Sequence, residues 1–99
     1  MKVEYSKAFV RASVKLSGKS LESLRRVVEE VKTAKQISGI TDCKKLTNFS
    51  NIYRIRMGGY RVFFNFHVDS SDGVVVFEYL VPRGQAYSKE MMRKLNTKD

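Results

Sequence analysis

The sequence predicts an α+β domain in which an N-terminal strand and a two-helix hairpin pack on a small antiparallel sheet, closed by a short C-terminal helix. Three observations carry this expectation. Apolar residues recur at helical spacing from Leu21 to Ala34. A period of two runs from Tyr53 to His67 on either side of Gly58-Gly59, as in a two-residue hairpin. The run VVVFEYLV from Val74 to Val81 is apolar nearly throughout, as in a strand covered on both faces.

Taken in order, Lys2 to Tyr5 reads as a short strand, and Ser6 suits the cap of a first helix. The apolar side of that helix is Phe9, Ala12, Val14 and Leu16, and Gly18 is expected to end it. Ser20 is the expected cap of the second helix, which presents Leu21, Leu24, Val27, Val28, Val31 and Ala34. Glu22 near its start and Lys32 and Lys35 near its end complement the helix dipole. From Ile37 to Asn51, Gly39, Asp42, Asn48, Ser50 and Asn51 break any period, which leaves a loop with at most a short strand near Lys44 to Leu46.

The hairpin follows, pairing Met57 with Tyr60, Arg56 with Arg61, Ile55 with Val62, Arg54 with Phe63 and Tyr53 with Phe64. After the turn signal Asp69-Ser70-Ser71-Asp72-Gly73, the apolar run pairs antiparallel with the strand before it until Pro82 stops it. Arg83 to Tyr87 form the exit, and Met91, Met92 and Leu95 mark a terminal helix among Lys89, Arg93 and Lys94. Without repeats, linkers or low-complexity tracts, residues 1–99 are expected to form one domain, burying roughly 60 to 70% of the unfolded surface.

Side chains alternate between the faces of a strand, so Tyr53, Ile55, Met57, Tyr60, Val62, Phe64 and Phe66 share the core side of the hairpin. Arg54, Arg56, Arg61, Phe63, Asn65 and His67 share the other. Arginine facing arginine across a ladder is destabilising, and a bound phosphate or an acidic partner would relieve it. The formal charge is +9, and no Asp or Glu occurs between Cys43 and Val68, so the excess gathers around the hairpin. Such a surface suits nucleic acid or an acidic protein segment.

Cys43 is the only cysteine, which excludes an intrachain disulfide and a zinc site built on thiolates and points to a reducing compartment, the cytoplasm. The N-terminal stretch has no apolar run of signal-peptide length, and no segment reaches the length of a bilayer. His67 is the only histidine, and a lone His without an orienting carboxylate reads as a surface or half-buried side chain. Neither a metal nor a cofactor is expected.

With these residues laid out, the chain resembles the RelE/ParE superfamily of bacterial toxins from toxin-antitoxin pairs. YRIRMGGYRVFF at Tyr53 to Phe64 is similar to the family hairpin Y-R-[IL]-R-x-G-x-Y-R-[VL], and RGQAY at Arg83 to Tyr87 is similar to its terminal Arg-x-x-x-Tyr. In the RelE branch the resemblance implies a ribosome-dependent endoribonuclease that cuts messenger RNA without metal, by attack of the ribose 2′-hydroxyl on the adjacent phosphate. It implies Arg56, Arg61, Arg83 and Tyr87 as catalytic residues, with Tyr87 stacking on a base, and Arg54, Lys44 and Lys45 as RNA contacts. A cognate antitoxin is the implied protein partner, its acidic side chains meeting the basic face.

Two departures stand out. Well-studied members carry lysine where this chain has Arg54 and Arg56, and arginine is almost never deprotonated, so Arg56 is a poor general base but a good phosphate clamp. Some relatives place a catalytic histidine before the C-terminal arginine, where this chain has Pro82. The alternative within the same superfamily is a ParE-like inhibitor of DNA gyrase, which shares the hairpin and needs no catalytic residue. A basic RNA-binding module without toxicity is a third reading.

Overall fold

The computed structural model describes residues 1–99. Ser6 acts as its position suggests: its hydroxyl accepts the Phe9 amide at 3.0 Å and caps α1, Lys7–Ser13, directly after β1, Lys2–Tyr5. Gly18 does not end that helix, however, and Ser20 does not cap the next. Helix α2 spans Gly18–Thr33 with Ser17 as its cap, and Gly18 stands at φ +55°. That left-handed angle, open to glycine at little cost, redirects the chain from one helix into the other. Because α1 stops at Ser13, Val14 falls outside its apolar side and is 75% exposed.

The remaining strands are β2 (Cys43–Lys45), β3 (Ile52–Met57), β4 (Tyr60–Asp69) and β5 (Asp72–Pro82), followed by α3 (Lys89–Lys98). Single turns of 3-10 helix occupy Ile37–Gly39 and Arg83–Gln85. The strands form one five-stranded sheet in the order β1-β5-β4-β3-β2. β3 and β4 pair in the register expected from the two-glycine turn, and β5 lies antiparallel to β4. The sheet is mixed rather than wholly antiparallel, since β1 runs parallel to β5. That pairing joins strands from opposite ends of the chain, and no local pattern encodes it.

Both faces of the sheet are covered. On one, Phe9, Leu24 and Val31 from the helices meet Ile55, Met57, Val62, Phe64, Val75, Phe77 and Leu80. On the other, α3 lays Met91 and Leu95 over Ile52, Phe63 and Ala86, forming a second, smaller core. The face that carries the arginines is therefore apolar in its middle, and Phe63, which alternation places among them, is fully buried. Ser88 caps α3 by accepting the Met91 amide, and the Asp99 carboxylate accepts the Ser50 and Asn51 amides at 3.0 and 2.7 Å. The helix is thus held at both ends.

Strand β5 reaches both cores because its register shifts between Phe63 and Phe64: Phe64 opposes Phe77, but Phe63 opposes Tyr79. Glu78 is the extra residue, and the bulge resets which side chains face which layer. Glu78 is 7% exposed, with Lys98 Nζ 3.8 Å from its carboxylate. Burial pushes its pKa above the usual glutamate value, and Lys98 pulls weakly the other way. A folded-state pKa above the unfolded one means that this group favours the fold most below the ordinary carboxylate range and loses that contribution as pH rises through the raised value. Glu78→Gln is accordingly expected to raise stability at pH 7 relative to the parent and to flatten the pH dependence above about pH 4, read from urea midpoints at several pH values.

The β4–β5 turn carries a strain of its own. Ser70 and Ser71 both have positive φ, +50° and +78°, in a two-residue turn of the kind that prefers Asn-Gly. Ser71→Gly is expected to stabilise the protein by about 1 kcal/mol, seen as a higher urea midpoint at unchanged slope.

Candidate active site

Residues directly opposite in a ladder share a face, so the observed register gathers the basic side chains into rows. Lys44, Arg54, Phe63 and Tyr79 form one row across β2, β3, β4 and β5. Arg56, Arg61 and Val81 form the next, at the turn end of the sheet. Lys45 opposes Tyr53 and so points to the opposite face, away from the three arginines. Of the two candidate lysines, only Lys44 joins the arginine row.

Arg83 and Tyr87 arrive from the segment after β5. Pro82 lies opposite Tyr60, and the Arg83 amide donates to the Gly59 carbonyl at 2.8 Å, so Arg83 is anchored on the β3–β4 turn itself. The Tyr87 ring stands edge-on to Phe63, centroids 6.2 Å apart at 88°, and is 53% exposed. An accessible aromatic ring is thus held against the middle of the arginine face. Sequence spacing alone pairs Arg83 with Tyr87 but cannot bring either to the hairpin.

The three arginines differ in what they offer. Arg56 is exposed, Arg54 is half-buried with its Nε–H enclosed and unpartnered, and Arg61 is buried with its own Nε–H in the same state. Arg61 Nη1 donates to the carbonyls of Gly58 at 2.9 Å and Tyr60 at 2.8 Å. The repulsion between Arg56 and Arg61 is therefore relieved in part within the chain, by backbone dipoles. None of the four ion pairs includes Arg54, Arg56, Arg61 or Arg83, so no carboxylate of the protein neutralises the cluster.

The other titratable candidates stand apart. Burial pushes the Cys43 thiol up to about 11, against a downward pull from Arg54 and with a smaller upward push from Glu30, so it stays protonated near neutrality and is no nucleophile. His67 lies on the arginine side of β4 but is exposed, its Nδ1 3.4 Å from Asn65 Oδ1. Six residues separate it from Arg61, or about 20 Å along a strand. Glu78, Tyr79 and the covering helix join this face only in the folded chain. The lone acid within VVVFEYLV and the four-residue spacing of Met91 and Leu95 are the signals of them that the sequence carries.

A mixed sheet with two helices on one face and one on the other, carrying arginines and an exposed tyrosine beside its central hairpin, defines a small basic α+β domain with one candidate site. Known proteins of that type are similar to it. The chain is 27% identical over 88 residues to the toxin RelE3 of Methanocaldococcus jannaschii, spanning 88% of this chain and 96% of that protein. Among solved structures it is similar to an archaeal RelE-RelB complex from Pyrococcus horikoshii, with a TM-score of 0.67 and 26% identity over 86% of this chain and 97% of that one. It is also similar to a RelB-RelE antitoxin-toxin complex from Methanococcus jannaschii, with a TM-score of 0.68 and 24% identity over 85% and 94% of the two chains. A mutant of Escherichia coli RelE in the free state matches over 98% of this chain and 95% of its own, with a TM-score of 0.66 and 19% identity. No family model matches the chain. In sequence and in fold, the chain is RelE-like.

Proposed function

We propose that this protein is the toxin of a toxin-antitoxin pair and acts as a ribosome-dependent messenger RNA endoribonuclease. The observation that carries the reading is that Arg54, Arg56 and Arg61 share one face of the hairpin and the Arg83 backbone is tied to its turn, with Tyr87 exposed on the same face and no carboxylate paired with any of these arginines. In the reaction, the ribose 2′-hydroxyl gives its proton to water and its oxygen bonds to the adjacent phosphorus while the bond to the 5′-oxygen breaks and that oxygen takes a proton from water; negative charge builds on the phosphoryl oxygens, and a 2′,3′-cyclic phosphate and a 5′-hydroxyl end result. Guanidinium groups placed before the substrate arrives stabilise that charge without reorganisation. Tyr87 offers a face for a base and so fixes the 2′-oxygen in line. Arg54 and Lys44 extend the positive row along the RNA backbone, and Lys45 adds charge from the other face of the same edge strand.

Its protein partner in this reading is an antitoxin, as in the RelB-RelE complexes to which the fold is similar. No helix is long and apolar enough to cross a membrane. Primer extension on messenger RNA in purified translating ribosomes, with and without the protein, tests the activity. New ends on ribosome-bound RNA alone are the expected result. Intact RNA together with inhibited supercoiling by gyrase would move the chain to the ParE type of activity.

A further inference from the structure

Helix α3 lies on the same face of the sheet as the arginines and is fixed there. Its Met91 and Leu95 are buried against Ile52 and Phe63, and the Asn65 side-chain amide donates to the Lys98 carbonyl at 2.7 Å. The four cations of the helix fall into two pairs. Lys94 meets Glu90 at 3.5 Å and Lys98 meets Glu78 at 3.8 Å. Lys89 and Arg93 are exposed and belong to no ion pair. Both line one shallow concavity with Glu90, whose carboxylate is engaged by Lys94.

Stability does not account for these two side chains. Lys89 stands in the first turn, where the helix dipole favours an acid, and like charges one turn apart repel each other. An anion laid across both would relieve both costs. The two are about 6 Å apart along the helix axis. Lys89 follows Tyr87 by two residues, so the pair continues from the ring that stands against Phe63. The surroundings identify the class of anion. The large apolar side chains that the protein exposes are Tyr5, Val10, Val14, Val68 and Tyr87, none of them on α3. A protein segment would find little to bury there, whereas a nucleic acid strand needs charge and polar groups, and the exposed Asn96 and Thr97 continue the row one turn beyond Arg93.

We propose that Lys89 and Arg93 form a second RNA subsite, which holds phosphates of the messenger strand as it runs on from the base stacked on Tyr87. The proposal rests on the nuclease reading and adds to it a grip on flanking nucleotides.

Binding of unstructured RNA oligonucleotides of about 4 and about 12 nucleotides, measured against salt, reads the subsite. Each phosphate neutralised on a single strand contributes about 0.7 to the log-log slope. The double variant Lys89→Ala, Arg93→Ala is therefore expected to lower the slope on the longer RNA by about 1.4 and to leave that on the shorter RNA in place. Lys94→Ala, which removes a paired charge from the same helix, is expected to change neither slope. Alanine is the strongest helix former, so the double variant should melt no earlier than the parent.

A parental slope from the double variant on the longer RNA would overturn the proposal. So would an equal loss from Lys94→Ala, since the helix would then act only through its total charge, and so would no binding of the longer RNA by the parent. A Glu-rich peptide is the probe for an acidic partner: weaker binding of it by the double variant, with the RNA slopes kept, would make this face a protein contact instead. Weaker binding to ribosomes with both oligonucleotide slopes kept would assign the pair to ribosomal RNA and overturn the proposal likewise. If the parent shows the length-dependent slope and cuts nothing, the nuclease reading fails and the subsite stands; if the parent cuts and the double variant keeps the slope, the subsite alone fails.

Discussion

Arg56→Ala is expected to reduce messenger RNA cleavage about a hundredfold to a thousandfold while leaving the fold intact. The size follows from what Arg56 offers: an exposed guanidinium, free of any carboxylate, at the turn end of the arginine face. In the proposed reaction such a group would act on developing phosphoryl charge, at full strength if the bound ribosome excluded water from the site. Its removal leaves no buried polar atom behind and relieves a like-charge ladder pair with Arg61, so stability should change by no more than about 0.5 kcal/mol. Arg56→Lys keeps the charge but loses bidentate geometry, and an intermediate rate is expected of it. Single-turnover cleavage on programmed ribosomes, with thermal melting as a control, checks both. Parental rates from a folded Arg56→Ala protein would remove Arg56 from the site.

Phe63→Ala is expected to produce the largest loss of stability among the residues around the site, about 3–5 kcal/mol. Phe63 is fully buried between the sheet and α3, in the small core with Ile52, Ala86, Met91 and Leu95, and it also supports the Tyr87 ring. Removing it opens a cavity under the only helix on that face and withdraws the edge contact that orients Tyr87. For a domain of this size, a loss of that magnitude lowers the melting midpoint by roughly 12 °C or more. Amide exchange should report the damage first in α3 and then in the β3–β4 ladder. A midpoint within about 3 °C of the parent would mean that the second core contributes little.

The two predictions probe parts of the protein that are legible in the sequence to different degrees. The hairpin register is readable because two glycines flanked by strict alternation admit essentially one pairing, and the pairing places Arg54, Arg56 and Arg61 on one face whatever the rest of the chain does. The α2 stripe is readable for the same reason, since its period is local. Helix boundaries around Gly18 are not, because a glycine can end a helix or, at positive φ, turn the chain into the next one, and composition does not distinguish these. Lys45 stands beside Lys44 among the expected RNA contacts, but a one-residue step along a strand reverses the face.

What the sequence determined by itself is what depends on neighbours along the chain: the α+β class, the core face of the hairpin, and a concentration of positive charge without acids between Cys43 and Val68. What only the tertiary structure decided depends on groups far apart in sequence. β1 lies parallel to β5, and α3 covers Phe63. The bulge buries Glu78, Arg83 is tied to Gly59, and the Arg61 guanidinium turns inward onto two carbonyls. Each of these arrangements exists because burial and backbone pairing are satisfied over the whole molecule at once, and a local pattern carries no information about which distant partner will satisfy them.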